Sequence, residues 1–161
     1  MQPVSIETIT KVWDEHADKG FFEIEKDIAA LSKEQPALVN YLMTANSSTY
    51  NFEEQQMLLY FGVAIWKIMK EAGADPGTIS MDDLEDANDD NIELIEKLEK
   101  KYPGDFAVVV AKIFNEYNQK ELLDHIRKGI FNASDEKATI RTNSKGLMLF
   151  DLKAIVDCLD S

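Results

Sequence analysis

The sequence predicts an all-α fold, and three observations carry that prediction. Apolar residues recur at i, i+3, i+4 and i+7 through most of the chain. Serine, asparagine, aspartate and proline stand where such runs begin, and glycine or proline where they end. No stretch alternates apolar and polar residues with the period of two that a half-buried strand requires. The 161 residues suit one domain, 1–161. A chain of this length can bury roughly 70% of its unfolded surface without a disulfide or structural metal. The expected architecture is a single-domain helical bundle, or a short α-solenoid-like array, of about seven or eight helices.

Ile9, Val12, Trp13 and His16 form one stripe on a first helix over about 6–18, with Gly20 as its C-cap. Phe21, Ile24, Ile28 and Leu31 define a second helix over about 21–33. Pro36 suits the first turn of a third, which carries Leu38, Val39, Tyr41, Leu42 and Met43 and fades at Asn46-Ser47-Ser48-Thr49. The fourth has the clearest start, with Asn51 as N-cap and Glu54 at the capping-box position. From Met57 to Met69 its apolar residues cover nearly the whole circumference, the mark of a central buried helix. Gly62 inside it costs about 1 kcal/mol against alanine, a cost that a close helix crossing would explain. Gly73 and Asp75-Pro76-Gly77 end the element.

Ser80-Met81-Asp82-Asp83 is a second capping signature, followed by an acidic stretch that leads into an amphipathic helix with Ile92, Ile95 and Leu98. Pro103-Gly104 breaks that helix. Asp105 caps the next one, with Phe106, Val109, Val110, Ile113 and Phe114 facing inward. A further helix covers about 118–131, the polar stretch 132–143 reads as a loop or short helix, and a terminal helix covers 146–159. The terminal helix carries Leu149, Leu152, Ile155, Val156 and Leu159.

A shift of 67 residues aligns two parts of the chain. Ile28, Leu31, Lys33 and Pro36 match Ile95, Leu98, Lys100 and Pro103; Tyr50, Asn51 and Glu54 match Tyr117, Asn118 and Glu121; Gly62 matches Gly129. The matches fall at a helix end, a proline start, a capping box and a helix glycine. They suggest two related three-helix units, about 20–73 and 88–131, flanked by the terminal helices 6–18 and 146–159. Stacked helical units of this kind share a core and present extended faces.

Charge narrows the function. Lys and Arg number 17 against 30 Asp and Glu, a net charge of −13, and Arg127 and Arg141 are the only arginines. Phosphate neutralisation needs a basic surface, so a nucleic-acid partner is excluded. An anionic membrane surface would repel the chain for the same reason. Cys158, the sole cysteine, can form no intrachain disulfide and no multi-cysteine zinc site, and reads as a small apolar residue. Met1-Gln2-Pro3-Val4-Ser5 has no signal-peptide character, and the apolar run from Met57 to Met69 is too short to span a bilayer. A cytoplasmic location is the expectation.

Much of the acidity has one address. Residues 82–96 carry −8 with no base, whereas 1–81 carry −6 and 97–161 carry +1. A calcium loop starting at Asp82 would place Leu84 at its third position and Ala87 at its sixth, where a ligand and a glycine are required. An EF-hand is therefore rejected. The remaining readings are a solvated helix start, stabilised by the macrodipole, loose association of a divalent ion, or a face that binds a basic partner through Asp82, Asp83, Asp86, Asp89 and Asp90.

A second constellation is Glu93-x-x-Glu96 followed by Glu121-x-x-Asp124. Each pair shares a helical face, and four carboxylates could hold Mg²⁺ beside a substrate phosphate. This resembles the E-x-x-E…E-x-x-D pattern of the all-α nucleotide pyrophosphohydrolases of the MazG type, over these four positions. The resemblance implies a Mg²⁺-dependent hydrolase, although Ile92 stands where that family has a further glutamate. His16 and His125 are the only histidines, too few for a three-histidine site, and neither lies in the Glu-x-x-His spacing of ferritin-like centres. No nucleophile elbow, Walker A or dinucleotide fingerprint occurs.

The sequence thus favours a non-catalytic interaction or regulatory protein without a cofactor, whose partner is another, basic protein. An inhibitor or immunity-type protein is one concrete version. The alternative is the Mg²⁺-dependent pyrophosphohydrolase using Glu93, Glu96, Glu121 and Asp124. Homo-oligomerisation through the apolar run Leu147, Met148, Leu149 and Phe150 is a further expectation.

Overall fold

Ser5, Asn51, Ser80 and Asp105 each accept a backbone N–H three residues on, and each opens a helix at its own position. The computed structural model describes residues 1–132 and 140–160. Among these it has eight α-helices and no strand, packed as a single domain. The helices are α1 Ile6–Ala17, α2 Phe21–Glu34, α3 Pro36–Thr44, α4 Phe52–Glu71, α5 Met81–Lys101, α6 Phe106–Glu116, α7 Lys120–Asn132 and α8 Thr142–Leu159. Two full capping boxes are formed. Asn51 and Glu54 exchange bonds of 2.9 and 3.0 Å, as do Ser80 and Asp83. No described helix is long and apolar enough to cross a membrane.

Four local expectations change. Gly20 does not close α1: Asp18 does, and Gly20 is the extended N-cap of α2. The acidic stretch is no lead-in, because Ser80 starts α5 directly and one helix runs through to Lys101. Asn118 and Glu121 do not repeat the capping box. Asn118 instead donates to the Met1 carbonyl at 3.1 Å and to Asp160 at 2.9 Å. Beside it, buried Gln119 accepts from the Val4 N–H at 2.9 Å and donates to the Gln2 carbonyl and Asp160. The polar stretch 132–143 lies mostly outside the described residues, and α8 starts at Thr142, ahead of position 146.

The core is built around α4 and α8. α8 packs against α4, α5 and α7, while α4 also meets α1, α2 and α3. Every residue from Met148 to Val156 is buried. A fully buried leucine or isoleucine contributes roughly 1.5–3 kcal/mol relative to exposure. Met148, Leu149 and Phe150 are therefore committed to the interior and do not form the outward apolar face expected of them.

The glycines at the 67-residue offset both mark close approaches. A methyl group at Gly62 would overlap the Leu42 side chain of α3, and one at Gly129 would lie 3.0 Å from Trp13. The helix ends at the same offset also agree in backbone conformation, with φ −135 and ψ 71 at Gln35 and φ −128 and ψ 66 at Tyr102. The two aligned stretches differ in that α5 begins seven residues ahead of the position matching the start of α2.

Candidate functional site

α5 carries the acidic segment on its solvent side. At 100° per residue, Asp82, Asp86, Asp89, Glu93 and Glu96 fall on one stripe, and all five are exposed. Asp83 and Asp90 are exposed on the neighbouring stripe. Among the described residues, none of these seven carboxylates has a cation within 4.0 Å. Asp83 has a local duty. Its carboxylate takes the Ser80 N–H, and the bonds from Ser80 hold it below the usual carboxylate range.

A groove of about 340 Å³ opens beside that stripe, between α5, α6 and α8. Its walls are mainly apolar, with Ile92, Ile95, Phe106, Leu147 and Phe150. Ile92 and Phe106 remain about half exposed, at 48% and 53%. Glu85, Asp89 and Glu96 stand at i−7, i−3 and i+4 from Ile92, so acidic row and apolar groove form one continuous surface.

Sequence reasoning missed the polar floor of this region. Asp151, 1% exposed, accepts from Tyr50 Oη at 2.6 Å, from Asn46 Nδ2 at 2.8 and 3.0 Å, and from Tyr41 Oη at 3.4 Å. Burial pushes its carboxyl above the usual range despite those donors. Lys153, also buried, binds Asn91 Oδ1 at 2.6 Å and Asp157 at 2.9 Å. Both residues fall off the apolar stripe of α8, so periodicity alone places them outside. The one signal available was the dense apolar run on either side of them.

Glu54 is fully buried and is clipped by Arg141, whose guanidinium approaches to 2.7 Å and whose N–H lies 2.9 Å away. Burial acts to raise the Glu54 carboxyl, but the Arg141 and Asn51 bonds hold it at about 2. The pair ties the start of α4 to the start of α8.

The four carboxylates of the second constellation do not meet. Glu93 and Glu96 face solvent on α5. Glu121 and Asp124 line a small hollow against α1 with His125 and Lys128. Asp124 is held by Arg127 at 2.7 Å and Lys128 at 3.0 Å. Among the described residues, no three His, Cys, Asp or Glu side chains are grouped to hold a metal ion. No protein-family model matches the chain, and neither a curated protein nor a solved structure matches it significantly. The arrangement can therefore be read only from its own chemistry: an uncompensated acidic row that borders an open apolar groove.

Proposed function

We propose that this chain is a non-catalytic interaction protein that captures a basic amphipathic segment of another protein along α5. The observation that carries the reading is the row Glu85, Asp89, Ile92 and Glu96, which sets exposed carboxylates beside an exposed apolar anchor. The carboxylates would steer a cationic segment and raise its association rate. The groove would bury the apolar face of that segment and supply residence time. An inhibitor or immunity-type protein for a basic toxin or nuclease is the concrete form of this reading, working in the cytosol.

The test uses a labelled amphipathic helix of lysine and leucine as the probe, followed by fluorescence anisotropy. Replacing Asp82, Asp86, Asp89 and Asp90 by Asn, with the capping Asp83 left in place, should weaken binding by about tenfold near 20 mM salt. The difference should shrink near 0.5 M salt, where the Debye length falls below about 5 Å. Ile92→Ser should weaken binding at both salt concentrations. If the peptide does not bind, or if the charge variant binds as the parent does, the proposal is wrong.

A further inference from the structure

On the opposite side of α5 lies a cleft of about 300 Å³ with a different character. Lys101 of α5, Lys112 of α6 and Lys153 of α8 all line it, above an apolar floor of Leu94, Leu98 and Ile113. The Lys101 and Lys112 ammonium groups lie 5.6 and 5.8 Å from the centroid of the same Tyr102 ring. In a chain with 30 acidic residues, neither has a carboxylate within 4.0 Å among the described residues. Lys153 is 6% exposed. An ammonium has three N–H donors, and Asn91 and Asp157 take two of those on Lys153. The third has no oxygen acceptor among the described residues, and the nitrogen sits 4.7 Å from the Tyr117 ring centroid.

Helix electrostatics account for Lys101 alone. A lysine in the last turn offsets the negative end of the dipole, but Lys112 lies within α6 and Lys153 within α8. Three cations from three helices line one cleft, two of them at the Tyr102 ring and Lys153 at Tyr117, and Glu116 is the carboxylate of the same lining. We infer that this cleft binds a small aromatic anion, a single ring carrying a phosphate, sulfonate or carboxylate. The acidic group would take the remaining Lys153 donor between Lys101 and Lys112. The ring would pack on Tyr102 and the leucine floor. The site is independent of the acidic row on the outer face of α5.

Titration calorimetry with phenyl phosphate, inorganic phosphate and phenol separates the contributions. Phenyl phosphate should bind at least about tenfold more tightly than either fragment, because only it uses both charge and ring. The exposed pair Lys101→Ala and Lys112→Ala should lower that affinity by about tenfold or more with melting temperature unchanged. Tyr102→Leu should bring phenyl phosphate close to inorganic phosphate. The Asn variants of Asp82, Asp86, Asp89 and Asp90 should still bind phenyl phosphate. The inference fails if phenyl phosphate does not bind, if phenol binds equally well, or if the double lysine variant binds as the parent does.

Discussion

His16 illustrates how a single side chain sets the acid limit of this fold. Its ring is 1% exposed, Nε2 lies 3.1 Å from the Tyr60 carbonyl, and Nδ1 has no partner among the described residues. Burial lowers its pKa from 6.5 to about 4, so the folded state keeps it neutral where the unfolded chain takes up a proton. Its contribution is therefore complete above the unfolded value of 6.5 and is lost as pH falls towards about 4. The loss approaches roughly 3 kcal/mol at the lower limit. Half-buried His125 shifts in the same direction. Melting temperature should fall between pH 7 and pH 5, and His16→Gln, which keeps a donor for Tyr60, should flatten that fall. An unchanged slope in His16→Gln would assign the effect to His125 instead. The apolar stripe that includes His16 was visible in the sequence, because Ile9, Val12 and Trp13 share its face. The pairing of Glu54 with Arg141 was not, since 87 residues separate them and no local pattern joins them.

At the scale of elements, the α3–α4 crossing rests on Gly62. Gly62→Ala should gain about 1 kcal/mol in helix propensity yet lose more through overlap with Leu42, whose fully buried side chain meets the added methyl at Cγ as well as at both Cδ atoms. Overpacking typically costs about 1–3 kcal/mol, so chemical denaturation should show a net loss. In a Leu42→Ala background the same change should become neutral or stabilising. Persistence of the loss there would refute the steric explanation. The sequence anticipated a close crossing at this glycine, because a glycine inside a strongly apolar helix needs a packing reason. Helix starts were legible for a similar reason: Asn51 and Glu54, or Ser80 and Asp83, act within one turn. Legibility failed where function moved to distant groups. Asn118 matches Asn51 in sequence, but its amide serves the chain ends, so the local capping signal at that place misled. The groove beside α5 could not be read at all, because it exists only where α5, α6 and α8 come together.

For the whole molecule, the net charge of −13 is a standing repulsion among surface carboxylates. Screening should relieve it: raising NaCl from about 10 mM to about 0.2 M shortens the Debye length from roughly 30 to 7 Å. Melting temperature should rise over that range, and by less in the variant with Asn at 82, 86, 89 and 90. A fall or a flat response would mean that attractive ion pairs such as Lys19–Asp27–Lys67 outweigh the repulsion. That the acidic segment would stay outside was readable from composition alone, since so many carboxylates without partners cannot be buried. The central place of α8 has a consequence in time rather than in space. The helix that α4, α5 and α7 all enclose is the one that leaves the ribosome after them. Until it emerges, the nascent chain has a lined trough and nothing to fill it, with apolar side chains of α4 open to any other hydrophobic surface. Folding of these helices therefore waits until α8 has been made, and a chain cut before α8 lacks the residues that complete its interior.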